Sequence, residues 1–216
     1  MRGFFTAGHC TSGWNAIGDY ISQPFYGTVG GETVEPNFIP GGACPAGFTC
    51  RLTDATFVGY TVTPYNSVGI VGEFHKPTTS CTLPTVTCGL TVSGTTFLAT
   101  GAAPVGMVGA GRSKLGRTTG WTAGPMVSTC TNTSFSHGRT GQPGNFLCQQ
   151  EFSMGVLGGD SGGPVFVQSN ATQIQIAGQV IARSTSGPIT MFASPLSAFV
   201  PDGIPTFTFC AAGFGC

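Results

Sequence analysis

Three short stretches hold the residues best suited to chemistry in this 216-residue sequence. "GVLGGDSGGPV" places Ser161 between Gly158–Gly159 and Gly162–Gly163. Glycines on both sides let the chain turn sharply and leave room beside the hydroxyl for a carbonyl group. They also let successive N–H groups converge on one point, as a developing oxyanion requires. A serine hydroxyl is a weak nucleophile until a neighbouring base takes its proton. "TAGHC" supplies that base as His9, whose ring ordinarily titrates near ~6.5. A third group must hold the imidazole, and Asp54 in "RLTDATFVGY", just ahead of an apolar run, is the candidate. The chemistry to expect from such a set is attack of an activated serine hydroxyl on a carbonyl group.

Each stretch has a plainer explanation when taken alone. "GGDSGG" could be a tight hairpin, His9 a core histidine and Asp54 a turn residue. Asp19 in "IGDYI" is the one rival acid near His9. His75 and His137 have no comparable context and read as loop residues. Metal chemistry is a poor fit, since there is no C-x-x-C and only three histidines occur. No metal or cofactor is expected.

These residues need a rigid frame, and its elements read as short strands. "ATFVGYTV" from Ala55, "VGMVGA" from Val105, "GPVFV" from Gly163 and "QIQIAGQVIA" from Gln173 are rich in β-branched and aromatic residues. Gly, Pro, Ser and Asn clusters bound them. Ile174 and Ile176 alternate with Gln173 and Gln175, the period of a half-buried strand. No 3.6-residue stripe is sustained; one short helical turn is expected near "SPLSAF", with Pro195 at its start. "TPYNSVG" and "SHGRTGQPGN" read as hairpin loops. The chain is therefore all-β, a sandwich or barrel.

Composition narrows the function further. Charged residues make only 7% of the chain, with 8 basic against 8 acidic, so no net field would attract nucleic acid or an anionic membrane. No apolar run nears the ~18 residues of a membrane span. Gly 35 and Pro 15 make the chain loop-rich, while 17 Phe supply a core that disordered chains lack. Nine cysteines suit an oxidising compartment. Eight fall into neighbours in sequence, Cys44 with Cys50, Cys81 with Cys88, Cys130 with Cys148 and Cys210 with Cys216. Four local disulfides are expected, with Cys10 left over.

"TAGHC", "DATFV" and "GDSGGPV", in that order, resemble the chymotrypsin-like (trypsin-fold) serine peptidases, and "GRTTGWTAGPM" resembles their bacterial, streptogrisin-type branch. His9 and Asp54 are 45 positions apart, and Asp54 and Ser161 are 107. The first interval matches the family's, and the second needs modest loop insertion. The resemblance spans nearly the whole chain. It implies two packed antiparallel β-barrels in one peptidase domain of residues 1–216, the first ending and the second beginning near residue 100. It also implies that His9 is general base, Asp54 its orienter and Ser161 the nucleophile, with the N–H groups of Gly159 and Ser161 as oxyanion hole. The bacterial branch pairs the acid before the serine with a basic residue ahead of "TTG". That places Lys114, or failing it Arg112, against Asp160. A substrate pocket is expected around Gly155, beside Met154, with Ile181, Ala182 and Arg183 on one wall. Such a lining favours an apolar or small side chain, and Glu151 is the remote candidate for a basic one.

Family members carry two strands and a cysteine ahead of the histidine, the cysteine bridging the one that follows it. Only eight residues precede His9 here. The resemblance thus predicts a first barrel incomplete at its N-terminus and an unpaired Cys10. It implies a secreted monomer, its signal and upstream segment not present in this chain, acting on polypeptides as a serine endopeptidase. The alternatives are a non-catalytic or truncation-inactivated binding protein of the same fold, or an esterase using the same three residues.

Overall fold

Glycine-punctuated runs of Val, Ile, Thr and Phe favour short extended segments whose faces bury alternate side chains. The computed structural model describes residues 3–23, 27–61, 73–77, 92–185 and 189–209, and nearly all its regular structure is strand. In chain order these are β1 (Gly3–Ala7), β2 (Tyr20–Gln23), β3 (Gly27–Val34), β4 (Ile39–Pro40), β5 (Thr49–Cys50), β6 (Ala55–Tyr60) and β7 (Glu73–Pro77). There follow β8 (Val92–Ala102), β9 (Gly111–Gly116), β10 (Gly120–Ser136), β11 (Pro143–Phe152), β12 (Pro164–Gln168), β13 (Gln173–Arg183) and β14 (Met191–Pro195). Two single 3₁₀ turns, Gly8–Cys10 and Leu196–Ala198, complete the set. The second follows Pro195, where the sequence places a helical turn.

Two sheets carry the architecture. Among the described residues, the first is a four-stranded antiparallel sheet in the order β1-β6-β3-β2. In the second, β12-β9-β10-β11-β14-β13 closes on itself through a β12–β13 pairing, so these six strands form a ring. Closure removes the unpaired edges that an open sheet presents. β8 joins this ring in parallel along β13, and β7 pairs with β8. The ring strands contribute one apolar core of Met126, Phe152, Val165, Val180, Met191 and Ala193, all fully or nearly fully buried. A second cluster, Ala55, Phe199 and Ile204 with Phe5, Val34 and Phe207, seals the first sheet with the chain that follows β14.

Three of the four expected strands form, as β6, β12 and β13. Residues 105–110 do not form one. They make a turn in which Val105, Met107 and Val108 are 72%, 75% and 63% exposed. An apolar run needs a facing layer to become a core strand, and among the described residues none covers these three side chains. "SHGRTGQPGN" is the tip joining β10 to β11, as expected of a hairpin loop, while "TPYNSVG" lies outside the described residues. Cys44–Cys50 and Cys130–Cys148 are disulfides and Cys10 is an exposed free thiol. Cys81, Cys88, Cys210 and Cys216 lie outside the described residues. Among the described residues no helix is long and apolar enough to cross a membrane.

The feature of the fold that most affects the site is the anchoring of segment 51–54, which leads into β6. Arg51 N donates to Asn145 O at 3.1 Å and Leu147 N to Arg51 O at 2.9 Å, which joins the segment to β11. Gln149 Nε2 donates to Leu52 O at 2.7 Å. From beyond β14, Asp202 accepts from Leu52 N and Thr53 N, both at 2.8 Å, and from Thr53 Oγ1 at 2.6 Å. One carboxylate thus satisfies two amides and a hydroxyl that have no strand partner. Replacing Asp202 with Ala should leave these donors without acceptors and cost roughly 1–3 kcal/mol per buried group left unpaired. Thermal unfolding of Asp202→Ala should show a clearly lowered midpoint.

Candidate active site

His9 stands in the 3₁₀ turn that ends β1, and Asp54 stands one residue before β6. β1 and β6 are antiparallel neighbours with Ala7 opposite Ala55, so a register set 48 residues apart brings the two side chains together. Gly8 N donates to Asp54 O at 2.7 Å, locking the junction. Asp54 is completely buried. Its Oδ2 is hydrogen-bonded to His9 Nδ1, and its Oδ1 accepts from His9 N at 3.2 Å. Asp54 N donates to Ser194 Oγ at 2.9 Å, and that hydroxyl donates to Gln149 Oε1 at 2.8 Å. Asp19, the rival acid, instead accepts from Ser12 N at 2.6 Å.

Burial of the imidazole pulls its pKa down, but the Asp54 hydrogen bond and charge together outweigh that effect. With a further contribution from Cys10, His9 is raised from 6.5 to about 10. A raised pKa means that folding favours the protonated ring. Its contribution to stability is full below pH 6.5 and is lost as pH climbs through about 10.

Ser161 lies in the turn between β11 and β12. Gly159 and Gly162 have φ of +94° and +85°, a region where side chains are strained. A Cβ on Gly162 would come within 2.7 Å of Thr6 Oγ1 and 3.3 Å of Ala7 N. The serine turn therefore packs directly on the end of β1, beside the histidine turn. Ser161 Oγ donates to Ile181 O at 3.3 Å. No hydrogen bond joins it to His9 among the described residues, so the hydroxyl is turned toward β13 rather than the imidazole. Within the turn, Asp160 N donates to Leu157 O at 3.1 Å, Gly162 N to Val180 O at 2.9 Å and Gly163 N to Asp160 O at 3.0 Å. The amides of Gly159 and Ser161 find no acceptor among the described residues.

Asp160, next to the serine, is buried and densely bonded. Lys114 Nζ donates to its Oδ2 at 2.9 Å, and Thr119 Oγ1 does so at 2.6 Å. The amides of Thr118 and Thr119 reach Oδ1 at 2.8 and 2.9 Å, and Leu157 N reaches Oδ2 at 3.0 Å. Burial alone would raise this carboxyl. Thr119 and Lys114 reverse that and hold it below 3.8. The other end of the pair responds oppositely: lost hydration lowers the Lys114 ammonium from 10.5 by more than Asp160 restores. Arg112, the other basic residue considered, donates to the carbonyls of Gly111 and Pro104.

Several solved structures align with this chain over nearly its full length. Protease A of Thermobifida fusca aligns with a TM-score of 0.59 at 21% identity, covering 93% of this chain and 82% of that one. The chymotrypsin of Cellulomonas bogoriensis aligns with 0.58 at 22%, covering 95% and 86%. The Nocardiopsis protease aligns with 0.57 at 21%, covering 92% and 81%. The fold is that of the bacterial chymotrypsin-like serine proteases. No family model and no curated protein sequence matches the chain.

Within this fold the residues expected to line a substrate pocket are unequally placed. Gly155 and Ala182 are half-buried and Arg183 is exposed. Ile181 and Met154 are 1% and 5% exposed, and Met154 belongs to the ring's core, so neither side chain offers a free surface. Glu151 is half-buried and accepts from Thr131 Oγ1 at 3.3 Å. Of the two histidines read as loop residues, His75 lies instead in β7. His137 is in the loop at the β10–β11 tip, as expected, but it is buried there, its ring 4.8 Å from that of Trp14. The same hairpin brings Phe135 edge-on to the His9 ring at 5.3 Å.

Sequence reasoning passed over Arg51, which donates through Nη2 to Asp54 Oδ1 at 2.9 Å and through Nη1 to Glu35 Oε1 at 2.6 Å. One signal was available: in a chain with only 8 basic residues, one stands three positions before the candidate acid.

Two outcomes test this geometry. In Lys114→Met the buried Asp160 loses its cation, and breaking such a pair should cost about 3–5 kcal/mol in chemical denaturation. Because Asp160 is depressed in the folded state, its contribution is present above pH 3.8 and should fade as acid protonates it. An NMR titration of His9 should keep the ring protonated through neutral pH. In Asp54→Asn burial persists without the carboxylate, and the titration should fall far below its original position, toward or under 6.5.

Proposed function

We propose that the protein is a serine endopeptidase, with His9, Asp54 and Ser161 as its catalytic residues. The observation that carries this reading is the His9 Nδ1–Asp54 Oδ2 hydrogen bond to a fully buried carboxylate, beside a glycine-framed serine turn. A neutral His9 takes the Ser161 hydroxyl proton on Nε2 as Oγ bonds to the scissile carbonyl carbon. The Gly159 and Ser161 amides, both without an acceptor among the described residues, receive the oxyanion. Collapse breaks the C–N bond, the amine leaves with the His9 proton, and water repeats the sequence on the acyl ester. Asp54 holds Nδ1–H throughout and stabilises the imidazolium.

The Lys114–Asp160 pair acts at a distance, by pinning the turn that presents Ser161 and both amides. The substrates are polypeptides, the active unit is one monomeric domain, and the disulfides suit a location outside the cytoplasm. One observation favours a second reading: the Ser161 hydroxyl donates to Ile181 O and not to His9. A protein using this fold only for binding would have no need to turn it. A catalyst needs a χ1 rotation, a change between staggered wells.

A serine-directed fluorophosphonate separates the readings. Covalent labelling that disappears in Ser161→Ala, together with loss of peptide hydrolysis, is the expected result; an unlabelled protein would refute catalysis. Comparing peptide with ester turnover distinguishes an endopeptidase from an esterase. Because the base must be neutral, kcat/KM should rise with pH along a limb well above 6.5, in the direction of the raised His9 pKa.

A further inference from the structure

We propose that Arg51, braced by Glu35, is the positioning residue that sets the orientation and effective charge of Asp54, and through it the basicity of His9. The proposal rests on reading His9, Asp54 and Ser161 as the catalytic set.

A carboxylate with one oxygen on an imidazole is still free to twist about its Cβ–Cγ bond. Here the other oxygen is held by Arg51 Nη2 at 2.9 Å, and His9 N adds a longer bond of 3.2 Å. Arg51 is itself immobilised. Both side chains of the Arg51–Glu35 pair are completely buried, and Nη1 reaches Glu35 Oε1 at 2.6 Å and Pro36 O at 2.9 Å. The rings of Phe38, Trp14 and Phe146 lie 4.7, 4.8 and 5.3 Å from the guanidinium carbon. Aromatic faces of this kind hold a desolvated cation by their quadrupoles. The other oxygen of Glu35 accepts from Asn15 N at 2.5 Å.

The fork also touches the backbone that carries the base. A Cβ on Gly8 would fall 2.6 Å from both Arg51 Nη2 and Glu35 Oε1, and 3.2 Å from Asp54 Oδ1. Residue 8 therefore has to be small, and the pair sits directly against the turn holding His9. Beyond Glu35 the line of buried charge continues. Glu32 is pushed up to about 7, chiefly by burial, and partly by Glu35 and Asp19. The result is a row running Glu32, Glu35, Arg51, Asp54, His9. Cys10 lies beside the imidazole, and from the β10–β11 hairpin it faces His137, near Arg139.

Charge signs make the proposal specific. Removing the Arg51 cation leaves Asp54 more strongly negative toward the ring, so His9 should hold its proton to higher pH. Removing the Glu35 anion exposes Asp54 and His9 to more of the Arg51 charge, so His9 should release its proton earlier. A side chain that merely fills space predicts no such opposition.

The test is the pH titration of the His9 ring by NMR in a Ser161→Ala background, with kcat/KM–pH profiles of the same substitutions in the active chain. Arg51→Gln should move the His9 midpoint upward and Glu35→Gln downward, each by roughly one pH unit. In Arg51→Gln the plateau rate should also fall ~10–100-fold as the carboxylate loses its second hold. Arg51→Lys keeps the charge without the fork, so it should leave the midpoint near its original value and still lower the plateau. Should Arg51→Gln fail to fold, Glu35→Gln and Arg51→Lys decide. Midpoints that stay in place, or that move in the same direction, overturn the proposal. The NMR arm is independent of turnover, so a chain in which Ser161 proves dispensable for hydrolysis would refute the catalytic reading by itself.

Discussion

A carboxylate removed from water must find its whole hydration shell in the protein, and Asp54 is removed from water completely. Much of the structure follows from that demand. Its two oxygens are shared among the His9 ring, the His9 amide and Arg51. Because Arg51 is also buried, it requires its own counter-ion, and Glu35 supplies one. The backbone around Asp54 is held by Ser194 on β14 and, across Thr53 and Leu52, by Asp202 beyond it. Asp54 therefore leads into the first sheet by sequence and is tied to both sheets by its bonds. Each tie shortens the list of positions that Asp54 can take relative to His9.

Asp160 solves the same problem in the serine turn that packs beside the end of β1. Its shell is a lysine, a threonine hydroxyl and three amides, all within 3.0 Å. Five donors on one buried carboxylate fix the turn before Ser161 more firmly than an apolar contact could, since each bond has a direction. The two acids hold the two halves of the site independently. Packing of Gly162 against Thr6 and Ala7 then sets one half against the other.

The low charge content takes on a different meaning in this light. Of 8 basic and 8 acidic side chains in the whole chain, Glu32, Glu35, Arg51, Asp54, Lys114 and Asp160 are buried. These six are gathered into the Glu32–Glu35–Arg51–Asp54 row and the Lys114–Asp160 pair. Breaking such pairs is expensive because the surviving partner stays buried, which explains why they come as linked rows and shells. The β10–β11 hairpin adds the apolar half of this environment. Phe146 packs on Arg51, Phe135 stacks on Phe146 at 4.5 Å, and Phe135 also meets the His9 ring.

What was legible in the sequence was local in origin. The glycines around Ser161, the strand residues after Asp54 and Gly163, the Pro195 turn and the Cys44–Cys50 pair act within a few residues, and Cys130–Cys148 closes a single hairpin, so spacing and residue type suffice to read them. The family resemblance extended that reach to the partners His9, Asp54 and Lys114. Tertiary structure alone decided the rest. Nothing near Arg51 in sequence shows that β11 and segment 35–38 close over it, or that the loop residue His137 is buried against Trp14. Residues 105–110 have the composition of a strand but, among the described residues, no layer to pack against. The direction of the Ser161 hydroxyl is set by a carbonyl on β13, twenty residues away. Burial and charge pairing depend on which distant segments meet, and no run of residues carries that information by itself.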